Sequence, residues 1–289
     1  ASPGTVEVIT PGVDRAYFSP GSRAGARSAL GLGIHPVLLF VGRIQPLKGV
    51  DVAVDTLAAL SHRDAVLLIV GGASGMAGDL ELARVVALAE RLGVADRVKF
   101  IAPQPHHLLS TYYRAADVVL VPSRSESFGL VALEASACGT PVVATAVGGL
   151  LSLVEDGVNG FLVPDRDVEF FARRVTQVLD DSHLAQRLGT QAVLRSSRYS
   201  WQHAAMRMRR VVAEFARRDR TEATAPLFEA LADQAESPAD RRCGEGDEER
   251  ADRIGGHGRE LGGRRGRFLG VAYPALTLFA IVVTGNHYF

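Results

Sequence analysis

Short apolar runs punctuate this chain, and each empties into glycine, proline or charged residues before a segment of helical periodicity begins. Val37–Val41 (VLLFV) and Val66–Val70 (VLLIV) show no polar alternation, the mark of strands covered on both faces in a parallel sheet. Helices are expected after them, from about Asp51 to Ser61 and from about Asp79 to Leu92. A third strand, Val98–Ile101, leads to a helix of about His107–Ala115, and a fourth, Asp117–Val121, to the apolar-periodic segment LVALEASACG. Thr140–Ala144 and Gly160–Val163 read as the fifth and sixth strands, followed by helices of about Asp167–Leu179, Ser182–Arg195 and Trp201–Ala216. Upstream, Val6–Thr10 has the pattern of a short strand and Pro11–Asp14 of a turn. Ser22–Leu30 reads as a short helix with Ser22 as N-cap and Gly31 as stop.

Strands and helices alternating at this spacing predict an α/β fold, a doubly wound parallel sheet of Rossmann-like type. Ligands of such sheets bind beyond the carboxyl ends of the strands. Arg43, Lys48, the loop GGASGMAG, Gln104, Glu126 and the pair Gly148-Gly149 all fall at those ends. Because nothing precedes Val6–Thr10 to cover it, the chain is expected to be the later part of a larger protein. At the other end the pattern breaks down: 23 of the 28 residues from Asp240 to Arg267 are charged or glycine, too little apolar surface to offset chain entropy. The expected organisation is therefore a folded domain over residues 1–218 and a disordered or aberrant tail over residues 219–289. Phe268–Thr284 is apolar but only 17 residues long and broken by Pro274. A spanning helix needs roughly 20, so no membrane anchor is expected.

Composition narrows the partners. The 32 basic and 32 acidic residues cancel, so no global field favours nucleic acid. The two cysteines, Cys138 and Cys243, are too few and too unlike in setting for a disulfide framework or a zinc site, which points to a reducing, cytoplasmic setting. Nearly every basic residue is arginine; the two lysines are Lys48 and Lys99.

The chemistry concentrates after the fourth strand, in VVLVPS followed by Arg124-Ser125-Glu126-Ser127-Phe128-Gly129. Glu126 and Glu134 stand eight residues apart. Placed at the mouth of a helix and two turns down it, they would be ~12 Å apart. Two carboxylates sharing one glycosidic bond sit ~5–9.5 Å apart, so this pair is better placed to hold opposite ends of a long ligand. The plainer reading makes Glu126 a first-turn carboxylate facing the helix dipole and Glu134 a solvated helix residue. The stretch Ser127–Leu130 also presents a helix N-terminus, whose unpaired N–H groups suit a phosphate. Arg43 and Lys48 would supply counter-charge; they flank the exit of a buried strand, which favours a site over two solvated loop cations.

Other signals are weaker. GGASGMAG lacks the Lys-Ser/Thr ending of a P-loop and the spacing of GxGxxG, so a flexible turn is the better reading. His106-His107 have no acid or histidine partners to complete a ligand set and read as a surface pair. Ser123, Ser125 and Ser127 lie in no GxSxG elbow. The arginines of Arg207–Arg210 read as a solvated helix face.

Together these motifs resemble the C-terminal, donor-binding half of the GT-B retaining glycosyltransferases of family four. The resemblance is carried by Gly42-Arg43 with Lys48-Gly49 and Asp51, by Glu126-Ser127-Phe128-Gly129 with Glu134 (the family's E-x7-E pattern), and by Gly139–Val143 with Gly148-Gly149. Gly157 and Gly160–Val163 extend it, and the whole runs from about Val6 to Arg217. FVGRIQPLK, the PQP at 103–105, Tyr113–Asp117 and SESFGLVALEA are most similar to the branch that opens mycothiol synthesis. That likeness implies transfer of N-acetylglucosamine from UDP-N-acetylglucosamine to 1D-myo-inositol 3-phosphate with retention. It also implies no catalytic metal, a facing N-terminal domain absent from this chain, and room for a homodimer. Carried over residue by residue, Arg43 and Lys48 would hold the diphosphate, assisted by the helix start at Phe128, Gly129 and Leu130. Glu126 would bind the sugar hydroxyls, Glu134 the ribose, and Gln104 would sit against uracil. A structural Mg²⁺ near Tyr113, Arg114, Ala116 and Thr140 is implied by the same branch. Ser152, where many relatives have glutamate, and Leu151, where proline is usual, depart from the pattern.

Overall fold

The computed structural model of the chain describes residues 7–214, 216 and 217. Residues 8–209 form one compact unit. The other described residues, Glu7 and the helical stretch from Arg210, belong to a second unit. The expected tail, its apolar run and Cys243 lie outside the described residues.

Six strands, β1 (Val37–Val41), β2 (Val66–Val70), β3 (Val98–Ile101), β4 (Val118–Val121), β5 (Val142–Thr145) and β6 (Phe161–Val163), form one parallel sheet in the order β3-β2-β1-β4-β5-β6. The order reverses at β1 and β4, as in the doubly wound arrangement the sequence predicts. The helices are α1 (Arg23–Ala29), α2 (Val50–Ala59), α3 (Gly75–Arg91), α4 (His106–Ala115), α5 (Leu130–Cys138), α6 (Leu150–Leu153), α7 (Val168–Asp180), α8 (Ser182–Ser196) and α9 (201–214).

Successive strand residues point to opposite faces, and here both faces are covered. Leu38 and Phe40 of β1, with Leu67 and Ile69 of β2, enter a core shared with α2, α3 and α7. Leu39 and Val41, with Leu68 and Val70, enter a second core beneath α4 and α5. This two-sided burial explains the unbroken apolar runs: a polar residue at either parity would be dehydrated without a partner. Ser22 caps α1 as expected, its side chain accepting from Gly25 N at 3.0 Å. Asp167 and Asp181 do the same for α7 and α8.

Three expectations are corrected. Val6–Thr10 forms no strand over its described residues; Val8 is 72% exposed, and the nearest pairing is a single bridge between Val13 and Ser200. An extended segment needs a sheet edge to accept its ladder, and the apolar pattern alone could not supply one. The loop GGASGMAG is not a flexible turn, because α3 already starts at Gly75. Ala73 bridges Ile44, and buried Gly78 packs on the same backbone: a Cβ there would stand 3.0 Å from the Ile44 carbonyl. Lastly, α6 was not anticipated, being a single turn too short to carry a periodicity.

Candidate functional site

The reversal of strand order separates the connections that leave β1 and β4, opening a crevice at their carboxyl ends. The β1 exit continues beside β2 through Gly42 N to the Val70 carbonyl at 3.0 Å and Ile44 N to the Gly72 carbonyl at 2.9 Å. It then brings Lys48 to the residue before Gly49, the N-cap of α2. Across the crevice, the β4 exit carries Glu126. Lys48 Nζ donates to Glu126 Oε2 at 2.7 Å, with the two side chains 16% and 12% exposed. The same oxygen lies 3.4 Å from Ser123 Oγ. Arg124 N donates to the Leu47 carbonyl at 2.9 Å, a backbone tie between the same two loops.

Glu126 is not a first-turn helix residue. The helix α5 begins four positions later at Leu130, with Gly129 as its N-cap and no side chain capping it. The N–H groups of that first turn are therefore open to an anion. What seats the Glu126 loop is the glycine pair: Gly149 N donates to the Glu126 carbonyl at 2.9 Å. There is no room for anything larger, since a Cβ on Gly148 would stand 2.0 Å from the Glu126 carbonyl oxygen. The motif the sequence marks only as two glycines at a strand end is thus a mould for the carboxylate loop.

Glu134 is the fifth residue of α5 and is buried, only 6% exposed. This corrects its reading as a solvated residue, and the spacing of ~12 Å, which assumed one helix carrying both acids, does not apply. Tyr113 Oη donates to Glu134 Oε2 at 2.8 Å. Burial raises the carboxyl to about 7, with the tyrosine bond working in the opposite direction.

Arg43 is exposed and makes no ion pair among the described residues. It lines two small adjoining clefts. One holds Lys48, Ser123, Glu126 and Leu130; the other holds Gly72, Ser74, Pro103 and Gln104. Gln104 turns its amide back onto the Ala102 carbonyl at 2.9 Å. Phe128 is buried, edge-on to Tyr199. The structure thus gathers Arg43, Lys48, Glu126 and Leu130 at one cleft, sets Gln104 at the next, and places Phe128 and Glu134 in the buried layer.

A scan against family models matches residues 27–195 to the glycosyl transferases group 1 family. The chain belongs to that family. A D-inositol 3-phosphate glycosyltransferase of Frankia alni is 48% identical over 208 residues, covering 70% of this chain and 51% of the relative. The Anabaena protein HepE, solved in complex with UDP-glucose, is 27% identical with a TM-score of 0.67, covering 72% of this chain and 57% of that one. The C-terminal domain of a group 1 family protein, LpcC of Francisella tularensis, is 25% identical with a TM-score of 0.59; the match covers 64% of this chain and 97% of that domain. The chain spans about half the length of the curated relatives it matches.

Other features place themselves around this family core. A larger groove of about 890 Å³ lies at the opposite, amino end of the sheet. Its arginines are committed: Arg23 and Arg27 to Asp117, and Arg114 to the carbonyls of Tyr17 and Ser19. The group Tyr113, Arg114, Ala116 and Thr140 offers backbone carbonyls and a hydroxyl at the end of α4. Thr140 Oγ1 stands 2.7 Å from the Tyr113 carbonyl, near the edge of about 2.9 Å expected between neighbouring oxygens on an octahedral Mg²⁺. The oxygens present fit a hard cation. Among the described residues no cluster of three or more His, Cys, Asp or Glu forms a metal site, and His106 instead meets Phe18 edge-on. No helix among them is long and apolar enough to cross a membrane.

Proposed function

We propose that this chain is the donor-binding half of a retaining glycosyltransferase that moves N-acetylglucosamine from UDP-N-acetylglucosamine to 1D-myo-inositol 3-phosphate. The observation that carries the reading is the ion pair between Lys48 and Glu126, set in the sheet's crevice beside the uncapped start of α5. A lysine ammonium has three N–H donors, and Glu126 occupies one, leaving two for a phosphate. Arg43, with its exposed guanidinium, would meet the same diphosphate bidentately. As the glycosidic bond breaks, charge grows on the departing UDP. The cations and the first-turn N–H groups of Leu130 and its neighbours are positioned to stabilise it. Glu126 accepts from hydroxyls of the transferred sugar. Glu134, with Oε2 on Tyr113, uses its other oxygen for the ribose, and uracil lies in the cleft of Gly72 and Gln104. This chemistry needs no metal at the diphosphate; a structural Mg²⁺ at Tyr113, Arg114, Ala116 and Thr140 would tie α4 to the start of β5.

The inositol phosphate relatives support the acceptor, and the UDP-glucose complex of a structural neighbour supports a UDP-sugar donor. A second reading follows from length. Because the chain spans half of its curated relatives, it is a nucleotide-sugar binder that turns over only when joined to a facing domain. Assay of the chain, alone and co-expressed with an N-terminal half, with UDP-N-acetylglucosamine and 1D-myo-inositol 3-phosphate decides between them. Pseudodisaccharide and UDP from the joined halves only would establish the second; no product from either would refute the transfer.

A further inference from the structure

The ion pair at the crevice depends on two loops from different strands being held at a fixed distance, and one side chain outside the site touches both. Arg166 follows β6 in a 3-10 turn, Pro164–Arg166. Its Nε donates to the Pro122 carbonyl at 2.9 Å, at the root of the loop carrying Glu126. Its Nη2 donates to Asp51 Oδ1 at 2.9 Å, in the first turn of α2, three residues beyond Lys48. The Arg166 side chain is 11% exposed. Between the two acceptors lies Gly49, where a Cβ would meet the Pro122 carbonyl at 2.2 Å and Arg166 Nη2 at 2.8 Å. The guanidinium therefore lies directly behind the backbone that presents Lys48.

Two further observations mark this as a built device. Asp165 and Arg166 both have positive φ, 49° and 59°, a conformation that side-chain-bearing residues avoid unless their surroundings hold them there. And Asp51 is fully engaged: Arg84 reaches its Oδ2 at 3.0 Å and in turn binds buried Glu81 at 2.7 Å. Burial opposes the charge on Asp51, yet the Arg84 bond and the two nearby guanidinium charges hold its carboxyl below the ordinary aspartate value. The strained turn is thus anchored through Asp51 to α3.

We propose that Arg166 is a positioning residue, a strut that sets the spacing of the Lys48 and Glu126 loops and so the geometry of the site; that it thereby governs donor binding rests on the function proposed above. Arginine suits the task because its Nε and Nη2 point to two acceptors at once, whereas a lysine has one nitrogen to share.

The chain's two lysines make the strut measurable without any ligand. Lys48 is screened in its ion pair, while Lys99 on β3 is exposed and serves as an internal reference. Amine acylation of the full chain, read by peptide mass spectrometry, is expected to show the Lys48 to Lys99 labelling ratio rising at least threefold in Arg166→Met, with Arg166→Lys in between. An unchanged ratio in a variant that still melts cooperatively overturns the proposal, as does an equal rise at both lysines, which marks general loosening. Should Arg166→Met not fold, Asp51→Asn weakens the same strut, and an unchanged ratio there overturns it equally. Calorimetry with UDP is expected to show at least a tenfold loss of affinity in Arg166→Met. A wild-type chain that binds no UDP refutes the donor reading, and the labelling ratio then decides the strut by itself.

Discussion

Lys48 Nζ and Glu126 Oε2 meet at 2.7 Å across the point where the order of the sheet reverses, joining loops that are 78 residues apart in sequence. Each charge is mostly shielded from water, so each depends on the other for compensation in the free chain. A nucleotide sugar offers both a replacement: phosphate for the lysine, hydroxyls for the carboxylate. The pair is a stand-in for the ligand's own polarity.

Lys48→Ala and Arg43→Ala are each expected to weaken UDP-sugar binding by ~1.5–3 kcal/mol, the scale of charge-assisted hydrogen bonds. The two differ in stability. Lys48→Ala leaves Glu126 shielded and unpaired and should lower the unfolding free energy, whereas Arg43, exposed and outside any ion pair among the described residues, should leave it unchanged. Calorimetry with UDP-N-acetylglucosamine and urea unfolding of both variants test this; unaltered affinity in both would remove the diphosphate from this cleft.

Much of this was legible in the chain. The runs at Val37–Val41 and Val66–Val70 match β1 and β2 residue for residue, because a strand buried on both faces leaves no polar position to blur its limits. Arg43, Lys48 and Glu126 were marked by their place at strand exits, and the sheet brings them to one end as the rule for such folds requires. The burial of Glu134 was not legible, since its environment is made by Tyr113 from another helix, and local periodicity carries no tertiary contacts. Nor could spacing announce Arg166, whose partners lie 44 and 115 residues away.

The glycine pair should be intolerant of any side chain. Gly149→Ala places a Cβ 2.3 Å from Phe128 Cα, and Gly148→Ala places one 2.0 Å from the Glu126 carbonyl oxygen at a φ of +48°. Neither neighbour is a flexible tip; both are backbone of the loop that carries the carboxylate. Each substitution is expected to cost about 1–3 kcal/mol of stability and to weaken donor binding more than tenfold in the protein that remains folded. Thermal melts with paired calorimetry distinguish this from a purely global defect, in which affinity per folded molecule would hold.

Asp117 provides the contrasting case. It accepts from Arg23 at 2.9 Å, from Arg27 and from the backbone N–H of Val37 at 2.8 Å, clasping α1 to the start of β1 at the amino end of the sheet. Asp117→Ala strands the mostly buried Arg27 and is expected to cost about 2–4 kcal/mol, the usual figure for a broken buried pair reduced for its partial exposure. The donor site lies at the other end of the strands. Denaturation should therefore shift while UDP affinity of the folded chain does not; a matching loss of affinity would contradict the separation of the two ends.

Glu134 makes stability and binding respond to pH in opposite directions. Burial raises its folded pKa to about 7 from the ordinary 4.5, so between those values the folded chain holds a proton that the unfolded chain has released. The stability it contributes is whole below pH 4.5 and lost as pH rises through 7, a change on the order of 3 kcal/mol. Ribose hydroxyls, being donors, are received best by the ionised carboxylate, so UDP affinity should climb across the same window. Glu134→Gln abolishes both slopes: its urea unfolding curve against pH should run level where the wild type falls, leaving the variant the more stable of the two at pH 8. Its UDP affinity should stay low and flat. Parallel wild-type and variant curves would mean that Glu134 ionises freely in the folded chain, which its burial against Tyr113 forbids.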